Sequence, residues 1–442
     1  MNGFSSLRPA PEVRRFSSPS VERLLHEVAA GIADPELAWL FGNCFPNTLD
    51  TTITHDPDGE PDSFVITGDI PAMWLRDSAA QVWPFLPLAR TDRGLRRMLA
   101  GVVRRQAMGV HLDPYANAFY REPVFGHWRN DLTEMRPGVH ERKWELDSLA
   151  YFLRLSHGYW EATDDAGPFD DTWAGAVAAL LDLLEIEQGD GARSSYSFER
   201  PGGTKMPRGG KGAISAPCGL VRCGFRPSDD MVRFPFLVPA NAMMAGALRS
   251  VGPLLEKLGH GELAERAGRL SAEIFAALRT HALVAHPVFG EIWAYEVDGL
   301  GGVHFMDDAN VPSLLSLPYL GLCERNDPLY LRTRAFCLSD ENPHFVSGDS
   351  FSGIGSPHTK AGTIWPMAIT MQALTAESDD EILACLRRLK GSHAGTGFMH
   401  ESFNAADPAD FTRPWFSWAN TLFGELIVTL YQERPHLLKA PL

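Results

Sequence analysis

The sequence lacks several features that would fix its class at once. No run of about 18 apolar residues occurs in its 442 positions, so no membrane-spanning helix is expected. The N-terminal MNGFSSLRPAPEVRRFSSPS has none of the continuous apolar core of a secretory leader, and a cytoplasmic protein is expected. Cysteine is scarce. The six residues (Cys44, Cys218, Cys223, Cys323, Cys337 and Cys385) form no CxxC pair and no Cys/His zinc spacing, which predicts reduced, mostly buried thiols. Basic charge is also short: 40 Lys and Arg against 55 Asp and Glu leave a net −15, the wrong sign for a phosphate-neutralising surface, so no nucleic-acid partner is expected. There is no GxSxG elbow and no HExxH helix. The glycine-rich PGGTKMPRGGKGA (201–213) does not lead from a strand into a helix, so it reads as a loop over a site rather than a phosphate cradle.

What is present is a 45% hydrophobic chain, enough for a large core, with apolar residues at helical spacing over most of its length. Helices are predicted at 21–32, 35–45, 76–88, 93–108, 145–160, 171–187, 238–258, 262–283, 328–338, 365–375, 379–389 and 414–431. Ser20 and the Asp34-Pro35 step supply start signals for the first two. Short strands are predicted around the turn DPDGEPD in 50–67, and at 195–198, 292–297 and 304–305. Residues 1–19 read as a loose arm, and no low-complexity linker divides residues 20–442, which read as one mostly α domain. Sequential helix pairs joined by long loops suit an α/α toroid, although periodicity does not establish ring closure.

The most informative tract is Gly397–Leu426, which sets Glu401 among His400, Phe403, Asn404, Arg413, Trp415, Phe416, Trp418 and Asn420. Sugar rings stack their apolar faces on aromatic rings and need carboxylates, amides and guanidinium groups for their hydroxyls, so the tract points to a carbohydrate site. A buried aromatic helix with satisfied caps would look similar. Four further tracts have the same composition: 68–85 with Trp74, Arg76 and Asp77; 140–152 with Lys143, Glu145 and Asp147; 223–241 with Arg226, Asp229, Asp230 and Asn241; and 347–367 with Asp349, His358, Lys360 and Trp365. In RPSDD, Ser228 reads as a helix cap with the aspartates in the first turn. The same pair is a candidate general acid, because adjacent carboxylates repel and hold a proton. Arg76 and Asp77 are either a structural ion pair or a grip on adjacent sugar hydroxyls. His140, His358 and His400 have no metal-ligand spacing, so no metal and no cofactor are expected.

Together these tracts resemble the metal-independent exo-α-1,6-mannosidases of glycoside hydrolase family 125. The pieces that carry the resemblance are GDIPAMWLRDSAAQVWPF, YANAFY (115–120), HERKWELDSLAYF, CGFRPSDD, SGDSFSGIGSPHTKAGTIWPM and GFMHESFN…FTRPWFSWANTLFGEL, spanning residues 68–426. The resemblance implies an (α/α)6 barrel with a few short β-strands in its rim loops. It also implies inverting, metal-independent hydrolysis of terminal non-reducing α-1,6-linked mannose, with small mannosides or mannose-containing oligosaccharides as substrates and an oligomeric state left open. It places the acid on Asp229, with Asp230 as the alternative, and the base on Glu401. It gives substrate-binding roles to Trp74, Arg76, Asp77, Lys143, Asp147, Arg226, Asp308, Asn310, His358 and Trp365. The NAAD segment after Phe403, loop 193–213 and Met231 depart from the family pattern, which bears on leaving-group specificity. An inverting pair needs roughly 6.5–9.5 Å between its carboxyls to admit a water. A sugar isomerase on the same toroid, working through paired histidines, and a non-catalytic glycan-binding protein without opposed carboxylates are the rival readings.

Overall fold

The computed structural model describes residues 4–189, 191–348 and 350–442. They form two compact units: residues up to Pro71 with Asp77–Val102 and His344–Leu442, and Ala72–Arg76 with Val103–Pro343. The divisions at 76/77 and 102/103 fall inside the helices Leu75–Val82 and Arg93–Leu112, so no linker composition marks them. The protein is mostly helical, with strands of two to four residues in small antiparallel sheets, as the sequence predicts.

Helix boundaries follow local chemistry closely. Asp34 Oδ1 accepts from the backbone N–H groups of Glu36 and Leu37 and starts Pro35–Cys44 as expected. The first helix, Pro19–Ala30, is capped by Ser18 rather than Ser20. The helix expected over 76–88 is α-helical only to Val82. Trp83–Arg90 continues as a 3-10 segment, because Pro84 and Pro87 lack the N–H groups that α-helical bonding needs. The strand expected at 195–198 does not form; Glu199 makes only isolated bridges, to Leu132 and Lys205.

The second unit packs Leu146–Thr163 against Val238–Lys257, and Val238–Lys257 against Gly261–His281. The first unit packs Pro366–Leu374 against Asp379–Ser392 and Ser417–Glu433. All nine residues of Pro366–Leu374 are buried, as are most of Leu146–Thr163 and Ser417–Glu433, which explains their weak polar/apolar periodicity. Several of these helices begin just after a short strand: Met73–Trp74 before Leu75–Val82, Phe236–Leu237 before Val238–Lys257, and Thr363–Ile364 before Pro366–Leu374. Side chains in the strand and the first helical turn are thereby held at fixed positions. Trp74, Arg76, Asp77 and Trp365 lie at these steps.

The N-terminal segment is held from Ser5 onward, which corrects the expectation of a loose arm. Trp39 Nε1 donates to the Ser5 carbonyl. The Phe16 N–H donates to the Leu49 carbonyl. Arg8 pairs with Asp50 (Nε–Oδ2 2.7 Å) and Glu22 (Nη1–Oε2 2.9 Å). Burial pushes the Asp50 carboxyl up from the ordinary aspartate range, and Arg8 opposes that. Arg8→Met leaves Asp50 buried with only the more distant Arg14, so it should cost about 3 kcal/mol by urea denaturation at neutral pH. The double variant Arg8→Met, Asp50→Asn should recover most of that loss.

Candidate active site

In the second unit, Arg76 lies in the first turn of Leu75–Val82. The Leu75 N–H donates to the Asn117 carbonyl, and Gln106 Nε2 donates to the Leu75 carbonyl, so the turn is fixed from two sides. Arg76 is 3% exposed, and both its terminal nitrogens meet carboxylates. Nη1 donates to Glu145 Oε2 at 2.6 Å and Asp147 Oδ2 at 3.2 Å, and Nη2 to Asp229 Oδ1 at 3.4 Å. Glu145 occupies the N-cap position of Leu146–Thr163 without capping it. Its side chain is spent on Arg76 and on the Ser148 hydroxyl, which donates at 2.9 Å. Burial, the largest influence, pushes the Glu145 carboxyl well above the usual glutamate range; Arg76 opposes this, while Asp229 and Asp147 add to it. Burial likewise raises Asp147, to about 6, against the pull of Arg76.

Asp229 sits in a turn, not in a helix. The Asp229 N–H donates to the Arg226 carbonyl, the Arg226 N–H donates to the Asp230 carbonyl, and Asp229 adopts φ +66°. The expected Ser228 cap is therefore corrected: the next helix begins at Val238, beyond the reach of RPSDD. A left-handed aspartate is tolerated because its short polar side chain bonds locally, but it still costs energy that the surroundings must supply. The supply is visible. Asn117 Nδ2 donates to Asp229 Oδ1 and to Glu141 Oε2, each at 3.3 Å. Arg226 Nε donates to Glu296 Oε1 at 2.6 Å, and Glu296 Oε2 accepts from the backbone N–H groups of Arg233 and Phe234. Glu296 thus pins both ends of the loop that carries the aspartates.

The other candidates of this unit are placed as follows. Lys143 Nζ lies 3.4 Å from Glu141 Oε1; burial works against its charge, but Glu141 and Asp229 outweigh it and raise its affinity for the proton. Trp74 is buried with its ring edge-on to His140. Asp308 Oδ1 accepts from both the backbone and the side-chain amide of Asn310. Its neighbour Asp307 is structural, accepting from the N–H groups of Leu314 and Leu315, and burial lifts it to about 7.

In the first unit, Glu401 is held by Thr412, whose hydroxyl donates to Oε2 at 3.0 Å, and by Arg413, whose Nη1 lies 3.4 Å from Oε1. Arg413 is itself aimed by Asp69 (Nε–Oδ1 3.0 Å), by the Thr67 hydroxyl and by the face of Phe416, 4.7 Å away, and the charge of Asp77 acts on it. Gly68 makes this possible. It adopts φ +134°, and a Cβ there would meet the Trp415 carbonyl oxygen at 2.2 Å. Trp365 is buried, its Nε1 donating to Thr359 and its ring edge-on to Phe416 and to the exposed His358. Several residues of the same tract belong to the fold. Asn420 clamps Met399 and Phe416 through their backbones, Phe403 is core, and His400 stacks on Phe411 with its pKa lowered by burial. Asp349 lies outside the described residues.

A family model described as metal-independent alpha-mannosidase (GH125) matches residues 34–428. The chain belongs to glycoside hydrolase family 125. It is 44% identical to the meiotically up-regulated gene 157 protein of Schizosaccharomyces pombe, over 98% of this chain and 89% of that one. It is 40% identical to a Streptococcus pneumoniae metal-independent alpha-mannosidase solved in a non-productive complex with alpha-1,6-mannobiose. That match has a TM-score of 0.91 and covers 95% of this chain and all of the other. A bacterial glucoamylase in complex with acarbose shares the fold at 12% identity and a TM-score of 0.56, over 94% of this chain and 58% of its own. The fold-level relatives of this mannosidase are thus (α/α)6 toroid glycosidases. Among the described residues of the mannosidase, no group of three or more His, Cys, Asp or Glu is arranged to hold a metal ion, and no helix is long and apolar enough to cross a membrane.

Sequence reasoning missed Asn117, Glu141, Thr412 and Glu296. Asn117 lay within the quoted YANAFY and Glu141 within HERKWELD, but neither carries a signal of its own. The buried Arg76 cluster yields a pH-dependent prediction. Glu145 and Asp147 bind protons more tightly in the folded than in the unfolded chain, so the stability tied to their protonation is present at low pH and falls as pH rises. Arg76→Met strengthens that trend. It should cost about 3–5 kcal/mol near pH 8 and markedly less near pH 5, read by thermal unfolding across pH.

Proposed function

We propose that this mannosidase removes terminal non-reducing α-1,6-linked mannose in a single inverting displacement, with Asp229 as general acid and Glu401 as general base. The observation that carries the assignment is the way each carboxylate is held. Asp229 is fixed in a left-handed turn by Arg76 and Asn117, and Glu401 by Thr412 and Arg413. Asp230, the alternative acid, shares the turn; Asp229 is preferred because Arg76 and Asn117 both donate to its Oδ1.

In this reading Asp229 gives its proton to the departing glycosidic oxygen while Glu401 takes one from the attacking water. Trp74, Asp77, Lys143, Asp147, Arg226, Asp308, Asn310, His358 and Trp365 are assigned sugar-contacting roles on the family resemblance. Arg76 orients Asp229 and reaches the sugar through it. The alpha-1,6-mannobiose bound by the Streptococcus pneumoniae relative supports the linkage, and the near-complete span of the family match supports one catalytic domain from residue 20. Six free thiols suit a reducing compartment, and a cytoplasmic enzyme is proposed on that ground.

The two roles separate by substrate. Glu401→Gln should lower kcat by about three orders of magnitude or more on both α-1,6-mannobiose and a 2,4-dinitrophenyl α-mannoside, since both need an activated water. Asp229→Asn should lose about as much on mannobiose but far less on the dinitrophenyl substrate, whose leaving group needs no proton. Near-normal mannobiose hydrolysis by either variant contradicts the assignment, and binding without release of free mannose by the wild type would favour a glycan-binding protein.

A further inference from the structure

The contacts to Asp229 pose a problem for a general acid. Arg76 and Asn117 both donate to its Oδ1, and Lys143 adds positive charge nearby; each of these favours the ionised carboxylate. An acid that must hold its proton near neutrality needs a counterweight, and Glu145 is placed to be one. It is 1% exposed, and its carboxylate and that of Asp229 sit on the two terminal nitrogens of one guanidinium, Arg76 Nη1 to Glu145 Oε2 at 2.6 Å and Nη2 to Asp229 Oδ1 at 3.4 Å. Its Oε2 is taken by Arg76 and Ser148, while its Oε1 is buried with no donor among the described residues. Two buried carboxyl groups gathered on one guanidinium repel each other, which favours a proton held between them. The surrounding charges agree: among the described residues, five carboxylates (Asp131, Glu141, Glu145, Asp147 and Asp229) are linked through contacts to three cations, Arg76, Lys143 and Arg200. The groups facing Glu145 are Arg76 from Leu75–Val82, Asp147 and Ser148 from its own helix, Asp229 from the loop before Phe236, and Lys143 and Tyr196 at the edge.

We propose that Glu145 is a positioning residue that shares one proton with Asp229, keeping Asp229 able to donate to the leaving oxygen at neutral pH. The proposal rests on Asp229 being the acid. In each turnover the glycosidic C–O bond breaks and a C–O bond to water forms. The shared proton goes to the departing oxygen, the water's proton goes to Glu401, and exchange with solvent reprotonates the pair as Glu401 releases its own. Arg76 stabilises the pair in the interval when both members are ionised. Nothing in sequence spacing suggests this role, because Glu145 lies in a charged run that also reads as an exposed helix start.

Glu145→Gln tests it. The amide preserves shape and can still accept from Arg76, but it presents a fixed donor to Asp229 and removes the repulsion. The expected result is an alkaline limb of the kcat profile on mannobiose displaced to lower pH by about one unit or more, with KM changed by less than about threefold. A purely structural role would lower kcat at every pH without moving the limb, and an unmoved limb overturns the proposal. Should Glu145→Gln fail to fold, the infrared spectrum of the wild-type enzyme decides: a protonated-carboxyl stretch at pH 7 that Asp229→Asn alters supports the shared proton, and the absence of such a band overturns it. Equal loss by Asp229→Asn on mannobiose and the dinitrophenyl substrate would remove Asp229 as the acid. A selective loss there, with an unmoved limb in Glu145→Gln, would remove only the role of Glu145.

Discussion

One guanidinium organises the acidic half of this enzyme. Arg76 is almost wholly buried, and its terminal nitrogens are divided among Glu145, Asp147 and Asp229. A buried cation of this kind is expensive unless its charge is met, and so are the carboxylates around it. The group therefore stands or falls as a set. The short strand Met73–Trp74 delivers Arg76, the start of Leu146–Thr163 delivers the two buried acids, and the loop pinned by Glu296 delivers Asp229. Each element has its own hydrogen bonds, but the charge balance that makes burial tolerable is common to all three.

The other half is built on the same physical logic with different parts. Arg413 is oriented by Asp69, Thr67 and Phe416 before it meets Glu401, and the approach of the chain at Gly68 is close enough to forbid any side chain there. The contrast between the two carboxylates is chemically useful. Glu401 has a hydroxyl and a cation as partners, whereas Asp229 has an amide and a cation that it shares with a second, buried carboxylate. Under the proposed assignment, environments that differ in this way hold one carboxyl as the acid and the other as the base.

Much of the fold was legible because helix signals are local. Asp34-Pro35 starts a helix where the rules place it, and Asp171–Glu187 ends where its apolar spacing ends. Two-residue strands such as Met73–Trp74 and Phe236–Leu237 leave no period to read, and the units divide within helices, where composition does not change. The candidate carboxylates were legible as motifs; their partners were not. Arg76 and Glu145 are 69 residues apart and Asn117 and Asp229 are 112 apart, so their contacts exist only in the folded chain. The RPSDD tract shows the limit most plainly. Its serine and aspartates satisfy the capping pattern, yet the chain makes a left-handed turn there, because Arg226 and Glu296 hold it short of the helix.

The central claim is a single displacement by two carboxylates with different duties. The most direct measurement is the anomeric configuration of the first sugar released, followed by proton NMR during the early seconds of α-1,6-mannobiose hydrolysis, before mutarotation mixes the forms. The account predicts that β-mannose appears first. Initial release of α-mannose would require a covalent intermediate and a second displacement, and would contradict it.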